Sequence, residues 1–303
     1  MPELPEVEVV RRGLADHVVG RRIVEVSVTG LRTARRQPGG ATEIEDRLRG
    51  RTVTGARRRG KYLWLTLDAG DAAGADCLLV HLGMSGQMLV TGAGAPPVRH
   101  LHARAILDDD TELRFVDQRT FGGWTVVPLT EARDGTGVLL PAPAAHIAAD
   151  PFEDGFDLIA TARRIRSRDT EVKRLLLDQT VVAGIGNIYA DESLWRAGVH
   201  GRRRAGALTL RTVTEILGHA RDVMADALAA GGTSFDALYV NVNGASGYFD
   251  RSLDVYGRAG EPCGRCGTPV VREDFMNRGS HFCPSCQPAP RRSVRRPTGP
   301  RAR

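Results

Sequence analysis

The chain is predicted to be an α+β multidomain protein: an N-terminal antiparallel β-sandwich with a leading helix, a helical domain, and a C-terminal four-cysteine zinc-finger β-hairpin. Three observations predict it. The apolar period is helical over residues 5–19, close to two over most of 22–129, and helical again from about 158 onward. A stretch rich in Ala, Pro, Gly and Asp, residues 131–155, separates the two regimes. Two cysteine pairs, CGRC at 263–266 and CPSC at 283–286, stand sixteen residues apart near the C-terminus.

The opening MPELPEVEVV is stiff, because Pro2 has no backbone N–H and Pro5 fixes its own φ. Val7, Val10, Leu14 and Val18 then recur at helical spacing, and Gly20 can end the helix. RIVEVSVT (22–29), RTVTGARRR (51–59), KYLWLTLD (61–68), CLLVHLGM (77–84), ARAILDDDTELRFVD (103–117) and GGWTVVPL (122–129) read as short strands and hairpins. Beyond the linker, LIATARRIR, EVKRLLLDQTVV, NIYADESLWRAG and TLRTVTEILGHARDVMADALAAGG favour helices, the last ended by Gly231 and Gly232. The expected division is a β-sandwich over 1–130, a linker over 131–155, a helical domain over 156–250, a zinc finger over 251–287 and a basic tail over 288–303.

With 42% apolar and 26% charged residues in 303, the composition is that of an ordinary globular protein. No signal-peptide core and no apolar run near bilayer length is visible, so the default compartment is the cytoplasm. The formal charge of +6 is misleading as a nucleic-acid signal. Residues 287–303 hold six arginines and no acid, so the rest of the chain is neutral. Phosphate binding needs local potential instead, as in RRR at 57–59, RR at 163–164 and RRR at 202–204, each of which also reads as a solvated face. The Arg/Pro tail reads as disordered, or as a weak non-specific nucleic-acid arm.

The cysteine spacing is that of a four-thiolate zinc site on two knuckles, with Cys263, Cys266, Cys283 and Cys286 as ligands. Four thiolates leave no open coordination position, so one structural Zn2+ would hold a hairpin rather than do chemistry. Without a secretory signal, disulfides are the weaker reading. TPVVREDFMNRGSHF reads as two strands around a turn at Asn277 to Gly279 with Arg278 at the tip, either a plain turn residue or a delivered cation. The fifth cysteine, Cys77, lies in an apolar run and reads as core.

Smaller motifs are ambiguous alone. GIGN (184–187) puts backbone amides and Asn187 at a helix start, suited to a phosphate or to a bare helix connection. Lys61 starts a strand after a basic run and reads as a phosphate contact or a surface lysine. Met84 in HLGMSGQM, and Arg119 and Phe121 in DQRTFGG, sit on glycine-marked turns, as wedges between bases or as packing.

Taken in order, PELPEVE, GKYL, HLGMSG, DQRTFGG, GIGNIYADE, GGTSF, YGRAGEPC and CPSCQ resemble the formamidopyrimidine-DNA glycosylases, a bacterial base-excision repair family for 8-oxoguanine. These motifs run from Pro2 to Gln287. The resemblance implies a helix-two-turn-helix within the helical domain and double-stranded DNA carrying damaged bases as partner, with a monomer the simplest state. It implies both glycosylase and abasic-site lyase activity, with β- and δ-elimination through a Schiff base on the N-terminal proline. With Met1 removed, Pro2 would present a secondary amine of pKa about 8, partly neutral at physiological pH. Glu3 and Glu6 would handle protons and the helix entry, although both also suit a helix N-terminus.

By the same resemblance, Lys61, Asn187 and Arg278 would hold phosphates at the lesion, supported by His100 and Lys173. Met84, Arg119 and Phe121 would fill the hole left by the everted base, and residues 231–249 would form a lid over it. One departure is Thr120, where many relatives carry a basic residue. The alternatives are an endonuclease VIII-like glycosylase for oxidised pyrimidines and a non-catalytic zinc-finger DNA-binding relative. Leu4, where the first of these usually has glycine, and the Met84, Arg119, Phe121 set argue against it. The presence of Pro2, Glu3 and Lys61 argues against the second.

Overall fold

The computed structural model describes residues 2–69, 75–92, 94–231, 242 and 253–290. The lid expected at 231–249 lies outside the described residues apart from Gly231 and Val242, as does the tail beyond 290.

Helix α1 (Leu4–His17) leads into a two-layer β-sandwich. Its strands are β1 (Ile23–Val28), β2 (Val53–Arg59), β3 (Tyr62–Leu67), β4 (Asp76–His81), β5 (Gly86–Gly92), β6 (Leu101–Leu107), β7 (Thr111–Asp117), β8 (Gly123–Glu131) and β9 (Leu139–Pro141). One sheet has the order β1-β6-β7-β5 and the other β2-β3-β4-β8-β9, with all neighbours antiparallel. The inward positions of both sheets, among them Leu63, Leu65, Val80, Phe115 and Trp124, form the core. Two elements were not anticipated. Helix α2 (Gly40–Leu48) inserts only Ile44 and Leu48 into that core, and β5 is bounded by glycines at both ends.

The stretch 131–155, linker-like in composition, is tied down. It supplies β9, and its acids bind the end of β2 and the turn after it. Arg59, 1% exposed, is held by Asp134 at 2.7 Å and Glu153 at 2.8 Å. Asp150, fully buried, accepts from Arg58 at 2.6 Å and from the Gly60 N–H at 2.8 Å.

Helices α3 (Leu158–Arg166), α4 (Val172–Leu177), α5 (Asn187–Arg196) and α6 (Leu210–Ala229) build a second core. Side chains cap two of them, Asp157 accepting from the Ala160 N–H and Thr209 from the Thr212 N–H. The helix expected to run through Val182 stops at Leu177, where a non-helical connection to α5 begins. Helix α1 belongs to both cores. Val7, Val10 and Leu14 face the sandwich, whereas Leu4 packs among the helices.

The last unit is a hairpin of β10 (Val271–Phe275) and β11 (Arg278–Phe282). Its two-residue turn is Met276–Asn277, at φ 48° and 60°, a mirror-type turn that matches strand twist. The turn therefore precedes the expected Asn277-to-Gly279 position, and Arg278 pairs with Phe275 as the first residue of β11. Among the described residues, no helix is long and apolar enough to cross a membrane.

Candidate active site

Pro2 and Glu3 precede α1 and are buried, Glu3 against the start of α5. The Glu3 N–H donates to Glu6 Oε2 at 2.9 Å, so the helix caps its own first turn. The Leu4 N–H donates to Gly184 O at 3.2 Å, which fixes α1 on the GIGN turn. Glu3, the N-cap of α1, also reaches the second helix, its Oε1 accepting the Ile188 N–H at 3.0 Å in the first turn of α5. Its other oxygen, Oε2, is buried and has no hydrogen-bond partner among the described residues. Glu6 turns to the same helix, accepting from the Tyr189 hydroxyl at 3.1 Å.

This approach is possible because residue 186 is glycine. A Cβ there would lie 2.1 Å from the Glu3 carboxyl carbon. Gly184, at φ 91°, likewise leaves room for Leu4, whose Cδ1 would be 2.4 Å from an added Cβ. Gly60, at φ 53°, lets the turn before Lys61 pass against Ala183 and Gly184.

Lys61 reaches the same spot from β3's leading edge, its Nζ donating to Ile185 O at 3.0 Å. Burial pushes the Glu3 carboxyl up from its ordinary value, although Lys61 opposes it. Burial pushes Lys61 down, although Glu3 opposes that, and Arg278 adds to the lowering. Burial thus shifts both groups toward their neutral forms, and their mutual attraction opposes it.

The hairpin closes the third side. Asn187 Nδ2 donates to Gly279 O at 2.8 Å, beside Arg278. Asp191, nearly fully buried on α5, accepts the His281 N–H at 2.8 Å and the Ser280 hydroxyl at 3.1 Å. Lys173, expected to support a phosphate, is 0% exposed and gives its charge to Asp191 at 2.5 Å, with Nζ 5.2 Å from the Phe275 ring centre. It braces the hairpin from beneath. Arg278 itself is exposed.

On the opposite side, the turn holding Met84 packs on the loop 117–123. Phe121 is 47% exposed, and Arg119 Nη1 lies 3.8 Å from Met84 Sδ. Asp117, fully buried, organises this loop: it accepts the Ser85 hydroxyl and the Arg119 N–H on Oδ1 and the Gly122 N–H on Oδ2. His100 lies on the turn before β6 at φ 64°, its carbonyl accepting the Asp117 N–H at 3.0 Å. Sequence reasoning missed Asp117, Gly186 and Asp191. Asp117 opened a quoted motif and Gly186 lay inside another, but neither carried a sign of its long-range partner.

The four sulfurs of Cys263, Cys266, Cys283 and Cys286 lie within 4.8 Å of one another. Three of their separations are 4.0, 3.5 and 3.5 Å, near the roughly 3.8 Å edge of a tetrahedron with Zn–S of about 2.3 Å. The set fits one structural zinc. Trp195 Nε1 donates to Cys263 Sγ at 3.4 Å, and Arg265 stacks on the Trp195 ring at 3.8 Å, joining the metal knuckle to α5. Cys77 is buried in the sandwich and its thiol is pushed up to about 12 by burial, an inert core residue.

Comparison with known proteins bears on the whole chain. Residues 1–124 match the formamidopyrimidine-DNA glycosylase N-terminal domain and 147–238 the H2TH domain of the same enzymes. Residues 260–289 match the zinc finger found in FPG and IleRS. The formamidopyrimidine-DNA glycosylase of Nocardia farcinica is 61% identical over 296 residues, covering 96% of this chain and 100% of its own. That of Mycobacterium ulcerans is 58% identical over 297 residues, with 96% and 100% covered. Among solved structures, a Lactococcus lactis Fpg mutant bound to Fapy-dG-containing DNA superposes with a TM-score of 0.80 at 31% identity, covering 95% of this chain and 100% of that one. A MutM complex with DNA containing carbocyclic 8-oxo-G gives 0.80 at 32%, with the same coverage. A leading helix shared between two cores, a carboxylate and a lysine meeting on a GIGN turn, and a zinc-held hairpin are thus found together with family likeness along nearly the whole length. The chain belongs to the formamidopyrimidine-DNA glycosylase family.

Proposed function

We propose that the protein is a bifunctional DNA glycosylase and abasic-site lyase that excises oxidised purines, 8-oxoguanine and formamidopyrimidines, from duplex DNA. The observation that carries the reading is the Glu3 carboxyl: buried, raised in pKa, one oxygen without a hydrogen-bond partner among the described residues, beside Pro2 and a lysine lowered by burial. The names of its relatives and the damaged DNA in the related structures support the substrate class.

In this reading Met1 is removed and the Pro2 nitrogen attacks C1′ of the damaged nucleotide. The glycosidic bond breaks, and the C1′–O4′ bond opens as Glu3 protonates O4′, leaving an iminium between Pro2 and C1′. Loss of a C2′ proton expels the 3′ phosphate, and a second elimination expels the 5′ phosphate. Lys61, Asn187 and Arg278 hold phosphates around the lesion, with His100 as a further contact. Glu6 keeps the helix entry in place. Lys173 acts through Asp191 and the hairpin, without touching DNA. Met84, Arg119 and Phe121 occupy the space vacated by the everted base, whose unstacking costs a few kcal/mol. The sandwich takes in the 131–155 stretch expected as a linker, the helix-two-turn-helix lies around GIGN, and the working place is the cytoplasm at the nucleoid.

Borohydride trapping on a duplex with one 8-oxoguanine opposite cytosine tests this, comparing wild type with Pro2→Gly and Glu3→Gln. An adduct mapping to Pro2 and a gap with phosphate at both ends is expected. A bound duplex without adduct would refute the chemistry, and an adduct formed only on oxidised pyrimidines would refute the substrate class.

A further inference from the structure

Phe121 stands half-exposed on a loop, where an aromatic ring would ordinarily fold back onto the apolar surface. The loop is held from two sides. From within, Asp117 accepts the N–H groups of Arg119 and Gly122, and the floor is too tight for any side chain: a Cβ on Gly83 would lie 2.6 Å from Gly122 N. From outside comes a residue far away in sequence. Arg35 Nη1 donates to Thr120 O at 2.9 Å and its Nη2 donates to Phe121 O. Arg32 adds a long contact, Nη1 to Thr120 Oγ1 at 3.5 Å.

Thr120 sits at φ 55°, a conformation that costs a β-branched residue energy and persists only where its surroundings impose it. The Arg35 fork does so, with one nitrogen on each of the carbonyls of Thr120 and Phe121. Its planar guanidinium engages two successive carbonyls at once, which a lysine cannot reproduce. The segment carrying Arg35 is itself anchored, since the Trp124 N–H donates to Thr33 O at 3.0 Å and the Val126 N–H to Gln37 Oε1 at 2.8 Å.

We infer that Arg35 is a positioning residue that holds the 117–123 loop with Phe121 presented before any DNA arrives. The free protein is thereby preorganised, and the ordering of the loop is not charged to the binding step. The catalytic consequence rests on the function proposed above; the conformational claim does not.

The test uses the full-length zinc-loaded protein as wild type, Arg35→Ala, Arg35→Lys, Phe121→Ala and the double variant Arg35→Ala/Phe121→Ala. Hydrogen exchange of the free proteins, read on the peptide spanning 117–123, is the first measurement. Exchange should quicken roughly tenfold in Arg35→Ala, the equivalent of about one net hydrogen bond, while peptides from α5 stay unchanged. Unchanged exchange at 117–123 overturns the inference whatever the activity. The second measurement separates eversion from chemistry. Excision from an 8-oxoguanine duplex should fall about tenfold in Arg35→Ala and less in Arg35→Lys, whereas cleavage of a single strand carrying a ready-made abasic site should not fall. In the double variant, Arg35→Ala should add little to Phe121→Ala, because both act through one ring. Equal losses on both substrates, or full additivity, overturn it. A wild type inactive on both substrates with a responsive loop would instead refute the proposed function.

Discussion

Gly186→Ala isolates the carboxylate from the fold. Residue 186 caps α5 in an extended conformation, φ −119° and ψ −159°, which alanine adopts without strain. The added methyl would sit 2.1 Å from the Glu3 carboxyl carbon and 2.4 and 2.5 Å from its oxygens, more than 1 Å inside ordinary contact. What must give is the end of a flexible side chain, so the carboxyl should swing away, losing the Ile188 N–H bond, while the backbone stays. The fold should lose about 1 kcal/mol, a net hydrogen bond, or a few degrees in Tm. Catalysis should lose far more, since a 1 Å misplacement of a reacting group costs on the order of 10²-fold. Single-turnover excision and borohydride trapping, alongside differential scanning calorimetry, measure both. A rate within threefold of wild type, about 0.65 kcal/mol, would show that the acid need not occupy this place. Gly184→Ala provides the contrast: φ 91° and a 2.4 Å clash with the buried Leu4 make it a folding defect, with Tm falling before chemistry is affected.

Three further outcomes follow from the same contacts. The Glu3 pKa is raised above 4.5 in the folded state, so above that pH the folded protein keeps a proton the unfolded chain has released; stability falls as pH rises through this window. Glu3→Gln should therefore be more stable than wild type at pH 7 yet inactive in excision, as read by urea titration at pH 4 and pH 7; an equal stability difference at both would refute the shift. Asp150→Ala leaves the Gly60 N–H without its buried acceptor and Arg58 with Glu8 alone, and should cost about 1–3 kcal/mol; a denaturant midpoint near wild type would show the network to be dispensable. Chelation of zinc should change Trp195 fluorescence, because its indole donates to Cys263, and abolish excision by releasing Arg278 and Gly279 from α5; fluorescence unchanged after metal loss would count against the coupling.

The zinc ligands were legible from spacing alone, because thiolate chemistry tolerates few alternatives. The apolar runs of β3 and β4, buried on both faces, and the helical period of α1 and α6 were equally readable. Helix α2 was not, with only Ile44 and Leu48 to mark it, nor β5, which begins and ends on glycine. Residues 131–155 have the composition of a linker, and nothing local in Asp134, Asp150 or Glu153 reveals Arg58 and Arg59 as their partners some 75 to 94 positions away. Pro2 and Glu3 became candidates through resemblance, and Lys61 was ambiguous without it. Their meeting depends on the space left by Gly186, a property of tertiary approach that spacing does not encode.

The residues around GIGN receive Glu3 from the first helix, Lys61 from the sandwich and Gly279 from the zinc hairpin. A ribosome releases these pieces in the order 3, 61, 186, 279. The proposed nucleophile thus leaves first and stays harmless: with no α5 to dock on, Glu3 is solvated and its acidity ordinary. On the proposed mechanism the site is complete only once the zinc hairpin has docked on α5, so a nascent chain would carry the reactive terminus without its full surroundings.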